Sequence, residues 1–158
     1  MDEKRKKRVK NSIITMTELV LPHHTNQLGN LLGGQLMHWI DICAALSAIK
    51  HSEHVCVTAS VDKIDFNEPI KLGDVVTIVA SVNRVFNSSM EVGISVCAEN
   101  YSKGNKLHTN SAYLTFVGLS SDGIPVKSEP IIPESDEEKR RYKEAQVRRE
   151  VRLKLRNK

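Results

Sequence analysis

At 158 residues and 17.7 kDa the chain has the length of one domain and can bury a full core without disulfides or a structural metal. Eight glycines and five prolines exclude a collagenous or low-complexity chain. The formal charge of +4 is unevenly spread: residues 1–10 and 134–158 each carry +4, and the segment 11–133 between them carries −4, so a nucleic-acid-binding domain face is not expected.

A basic arm over residues 1–11 precedes Ser12 to Leu21, where Ile13, Ile14, Thr15, Thr17 and Val20 predict a strand stopped by Pro22. After the stretch HHTNQLGNLLGG, the residues Leu36, Ile40, Cys43 and Ser47 recur at helical spacing, beside Ala44, Ala45 and Ala48. They predict one long helix from Gly34 to near His51. Four strands follow. In the first, Val57, Ala59 and Val61 alternate with polar residues until the parity slips to Ile64 and Phe66, which predicts a bulge near Asp62 and Lys63. Val75 to Val82 is the next, Met90 to Ala98 gives the cleanest alternation, and His108 to Gly118 is the last. One helix with five strands to cover it predicts an α+β fold with the helix inside a curled antiparallel sheet. A proline-rich extended segment leads to Ser135 and Glu138, a capping box opening a helix to about Leu155. That helix has no apolar stripe but pairs Glu137 with Arg141, Glu144 with Arg148 and Glu150 with Lys154, and is expected as a solvated or loosely docked tail over 134–158.

The chemistry is expected in NQLGNLLGGQLMHWID, residues 26–41. Gly34 and Asp41 are seven apart, which places them within roughly 20° of one helix face and about 10 Å apart. The amides of Gly33 and Gly34 lie at a helix start, unpaired and at the positive end of the dipole, with a carboxylate further along that face. Such an N–H can stabilise the oxyanion formed when a carbonyl is attacked. Asp41 then serves as general base toward water or as nucleophile, and Asn26 can hold the water or the carbonyl. A glycine pair before a helix is often only a tight turn and an aspartate on a helix often only solvated. Asp41, however, lies between Met37, Ala44, Ala45 and Ala48, where a carboxylate needs a partner or a use.

The string NQLGNLLGGQLMHWIDICAALSA resembles the opening motif of the hotdog-fold acyl-CoA thioesterases, in the bacterial and cytosolic acyl-CoA hydrolase group. VTASVDKIDF, FNEPIKLGD, SSMEV and LTFVGL continue the likeness in the same order, over residues 12–133. The resemblance implies a hotdog fold, a five-stranded antiparallel sheet wrapped around one central helix with a charged C-terminal helix added. It implies hydrolysis of acyl-CoA without metal or cofactor, coenzyme A being part of substrate and product. Asn26 and Asp41 are then the catalytic pair, contributed by two protomers, with the Gly34 amide, supported by Gly33, polarising the thioester carbonyl. Ser88, Ser89 and Met90 match a segment near bound coenzyme A, with Arg84 as a phosphate partner. A dimer is the implied minimum and a trimer of dimers the implied assembly. Leu32 departs from the family, where Phe or His is common.

Other readings are weaker. His51, Glu53, His54 and Cys56, with His23 and His24, have the residue types of a zinc site but not the spacing of a defined tetrahedron. Cys43 is expected as core, and Trp39 as an aromatic packed on sheet or partner. A hydratase would need a histidine on Asp41's face, and His38 lies about 60° away. A non-catalytic module whose basic ends contact RNA, anionic lipid or a protein is the alternative from another class. Three cysteines without a CxxC pair, an N-terminus without an apolar signal region and the lack of a run near 18 apolar residues predict a cytoplasmic protein that does not insert into membranes.

Overall fold

The computed structural model describes residues 7–158, so most of the expected basic arm lies outside the described residues. Ile14–Leu19 forms β1, Gly33–Ser52 α1, Val55–Val61 β2, Val75–Val85 β3, Ser89–Asn100 β4, Asn105–Leu119 β5 and Asp136–Arg156 α2. The strands make one antiparallel sheet in the order β1-β3-β4-β5-β2. It is the α+β architecture that the order of elements predicts.

Alternation in the strands fixes which face meets α1. Met90, Val92, Ile94 and Val96 of β4, Val76, Ile78, Ala80 and Val82 of β3, and Ala112, Leu114 and Phe116 of β5 are all buried. Against them α1 lays Leu36, Ile40, Cys43, Ala44 and Ala48, the i, i+4, i+7, i+8, i+12 set of a helical face. Cys43 has no exposed surface, and burial pushes its thiol up to about 11, as befits a core residue. Trp39 is buried too, edge-on to the His24 ring at 5.0 Å. Residues of the other parity, such as Glu91 and Tyr113, turn to the outer face, where they meet α2.

Three sequence expectations need correction. The bulge in β2 lies between Thr58 and Ser60, not at Asp62 and Lys63, because the strand ends at Val61 and the later slip in parity belongs to a loop. Val57 and Val61, apolar in the alternation, are exposed, while Cys56 and Ser60 are half-buried. Finally, α2 is not a solvated tail. Its capping box forms as expected, Ser135 Oγ accepting from the Glu138 amide at 3.1 Å. Its Ala145 is then wholly buried, and Arg148 reaches across the sheet to Glu91, a carboxylate with no solvent exposure. Arg148 donates to both Glu91 oxygens at 2.7 and 3.1 Å, and its guanidinium stacks 3.7 Å from the Tyr113 ring centre. Burial opposes the charge on Arg148, but the hydrogen bonds and charge of Glu91 outweigh it, so its pKa is raised. Asn83 adds a 3.1 Å hydrogen bond to Glu91, and Arg152 pairs with Asp62 at 3.0 Å. The sheet thus carries a helix on each face, one held by apolar side chains and one by ion pairs.

Candidate active site

The stretch before α1 is a loop organised by Asn26. Its Oδ1 accepts from the amides of Leu28 and Asn30, at 2.9 and 3.2 Å, and its own amide donates to the Asn30 carbonyl. Gly29 turns the chain at a φ of 74°, a region that glycine enters without steric cost. The loop is then pinned to the sheet connection by Leu31 N to Ile70 O and Leu72 N to Gly29 O, at 2.6 and 2.9 Å. With Oδ1 committed, Asn26 offers its Nδ2 donor to further partners. Its backbone role was not legible in the sequence.

α1 begins at Gly33 with Leu32 as N-cap, and no side chain caps it. Both glycines are exposed, the Phe66 ring lies 3.7 Å from the Cβ position of Gly33, and that of Gly34 faces open space. Their amides are donors without a preceding turn to accept them, at the positive end of a 20-residue helix. Two turns on, Asp41 is half-buried and its Oδ1 accepts a 2.7 Å hydrogen bond from Thr58 Oγ1 of β2. Thr58 was missed by the sequence reading. Its signal is the one polar position of β2 that falls on the α1 side, cross-strand from buried Phe116.

The residues expected near coenzyme A lie on β3 and at the start of β4. Ser88 and Ser89 are half-buried at the β3–β4 hairpin. Met90 is fully buried among core residues. Arg84 is engaged: its guanidinium lies 4.1 Å from the Tyr142 ring centre and donates to the Tyr142 carbonyl at 3.3 Å. The residues weighed as a zinc set do not converge. His51 is buried and donates from Nε2 to the Glu129 carbonyl at 2.8 Å, Cys56 meets Ser52 Oγ, and among the described residues no three His, Cys, Asp or Glu side chains gather. Burial, with Lys7 nearby, lowers the His51 pKa despite its Glu129 bond. Among the described residues no helix is long and apolar enough to cross a membrane.

The family model of the thioesterase superfamily matches residues 28–104. Acyl-coenzyme A thioesterase 11 of Mus musculus is 46% identical over 89% of this chain, although the chain spans only 23% of that protein's length. An apo-hexameric acyl-CoA thioesterase superposes with a TM-score of 0.90 at 37% identity, covering 94% of this chain and 95% of that one. The acyl-CoA hydrolase of Staphylococcus aureus, solved with butyryl coenzyme A and coenzyme A, superposes at 0.89 with 37% identity, covering 96% and 92%. That hydrolase has also been solved with an asparagine, an aspartate or a threonine replaced by alanine; the aspartate follows the asparagine by fifteen positions and the threonine follows the aspartate by seventeen. Asn26, Asp41 and Thr58 stand at the same separations.

Proposed function

The chain belongs to the thioesterase superfamily, among the hotdog-fold acyl-CoA hydrolases, and on that premise we propose that it hydrolyses acyl-CoA to a free carboxylic acid and coenzyme A. The observation that carries the reading is the 2.7 Å hydrogen bond from Thr58 to Asp41, two turns along from an uncapped, exposed glycine helix start. Thr58 occupies Oδ1, so Oδ2 is the oxygen that takes a proton from the attacking water. The N–H of Gly34, with Gly33 beside it, receives the negative charge that develops on the thioester oxygen. Asn26 Nδ2 donates to the water or the carbonyl, and collapse of the tetrahedral intermediate expels the thiolate of coenzyme A. Asp41 can alternatively attack as nucleophile, with water then cleaving the anhydride. The reaction so drawn uses no metal and no organic cofactor.

The unit of function in this proposal is an assembly. α1 buries one face in its own sheet yet leaves Ile42, Leu46 and Ile49 at 38, 43 and 39% exposure, an apolar stripe that suits a second copy. We take a dimer as the minimum, with Asn26 and Asp41 of one site supplied by different protomers, and a trimer of dimers as the full form, in keeping with the hexameric relative. Against the alternative of a binding module with basic ends, Arg148 and Arg152 of α2 are spent on the chain's own carboxylates.

The test is thiol release from a panel of acyl-CoA chain lengths. Asp41→Asn should lower kcat by about a hundredfold or more. Thr58→Val should lower kcat less, and Asn26→Asp, which keeps the loop's acceptor and loses the Nδ2 donor, should lower activity without unfolding the loop. A near-wild-type kcat for Asp41→Asn would exclude this mechanism.

A further inference from the structure

α2 carries six arginines, and four of them meet carboxylates: Arg140 with Glu144, Arg141 with Glu137, Arg148 with Glu91 and Arg152 with Asp62. Among the described residues Arg149 and Arg156 meet none; Arg149 lies over the Phe86 ring at 4.6 Å. They are seven apart with Arg152 between, so the three share one side of the helix. All three line a cavity of about 560 Å³ between α2 and the outer face of the sheet, whose other wall includes Ser60 and Ser89. That volume is in the range of small-ligand sites.

The chemistry of the walls selects the ligand. Guanidiniums and hydroxyls share the space with Phe86, Val117, Leu153 and Leu155; Arg152 is already paired with Asp62 at 3.0 Å and lies 3.6 Å from Glu91. Basic donors set among apolar side chains suit a ligand that joins phosphates to an apolar ring or chain, since guanidiniums match phosphate oxygens in particular. Its position matters equally. Ser60 follows Thr58 by two residues, across the bulge in β2. Thr58 therefore faces Asp41 on the inner side while Ser60 faces the cavity on the outer side, about 7 Å along an edge strand. A substrate with a thioester at one end and phosphates at the other fits both compartments.

We propose that Arg149 and Arg156, with Ser60 and Ser89, bind the phosphates at the nucleotide end of acyl-CoA. The inference rests on the acyl-CoA reading above and places phosphate recognition on α2 in place of Arg84, which Tyr142 occupies, and Met90, which is buried.

The experiment compares the wild type with an Arg149→Ala/Arg156→Ala double variant, on an acyl-CoA and on the matching acyl-pantetheine, which lacks the nucleotide. KM for acyl-CoA should rise about tenfold for each guanidinium removed. The kcat, the kinetics on acyl-pantetheine and the thermal midpoint should not move, and the lysine pair at the same positions should recover part of the loss. Arg141→Ala, whose guanidinium is already paired with Glu137, should match the wild type. Calorimetric titration with coenzyme A itself gives a readout independent of turnover. If the wild type hydrolyses no thioester but the double variant binds coenzyme A more weakly, the phosphate site stands and the hydrolase reading falls. If the wild type hydrolyses acyl-CoA and the double variant has an unchanged KM and an unchanged affinity for coenzyme A, or loses equally on both substrates, the phosphate site is refuted.

Discussion

Replacing Arg148 with alanine isolates what holds the outer helix. Glu91 is wholly buried, and Arg148 gives it two charge-assisted hydrogen bonds from a side chain that is itself mostly covered. Removing one partner of a buried pair typically costs about 3 to 5 kcal/mol, because the remaining charge is left without compensation. Here Asn83 at 3.1 Å and Arg152 at 3.6 Å stay beside Glu91, which puts the cost near the lower end of that span. For a domain of this length about 3 kcal/mol corresponds to a fall in Tm of roughly 6 to 12 °C. Urea unfolding followed by circular dichroism, at one protein concentration because assembly adds to apparent stability, measures it. A cycle of Arg148→Met, Glu91→Leu and the Arg148→Met/Glu91→Leu pair separates the attraction from the desolvation of each charge. The double variant should recover most of the loss, since an apolar pair of similar volume often replaces a buried ion pair without penalty. An Arg148→Ala loss below about 1 kcal/mol, the size of an exposed pair, would refute the assignment of the clamp.

Three further outcomes follow from local geometry. Gly93→Ala would set a methyl 2.7 Å from Asn83 Nδ2, so Asn83 must leave Glu91 and the variant should lose about 1 to 3 kcal/mol; an unchanged urea midpoint would show that Asn83 moves freely. Gly34→Ala meets nothing within 4 Å in the chain, so its Tm should hold, while its methyl narrows the approach of a carbonyl to the Gly34 amide and should lower kcat/KM; retained activity would remove Gly34 from the site. His51, with its pKa lowered from 6.5, stays neutral in the fold while the unfolded chain takes up its proton, so its contribution is present above pH 6.5 and is lost as pH falls from there to the folded pKa. His51→Gln keeps an N–H for Glu129 without titrating and should flatten the acid side of the Tm–pH curve; an unchanged slope would place the acid sensitivity elsewhere.

What the sequence discloses and what it hides divides along physical lines. The helix over Gly33–Ser52 and the alternation of β4 are legible because burial of apolar groups follows the period of the backbone. The glycine pair and Asp41 are legible because they share one helix, where spacing alone sets direction. Thr58 is hidden, since its approach to Asp41 depends on how a strand packs on a helix seventeen residues away. The docking of α2 is hidden for another reason. Its contact residues are arginines and one alanine, so hydrophobic periodicity has nothing to register, and Glu91 reads as the polar position of an alternating strand. The surroundings of Arg84 are hidden in the same way: its guanidinium lies over Tyr142, 58 residues further along the chain.

The clamp between Glu91 and Arg148 also has a bearing on synthesis. Arg148 is translated 57 residues after Glu91, an interval of roughly 3 to 11 seconds at common elongation rates. In that interval β4 and β5 can already zip together, while the carboxylate of Glu91 has no guanidinium to meet and keeps its water. The outer face of the nascent sheet around Glu91 therefore stays hydrated until α2 docks.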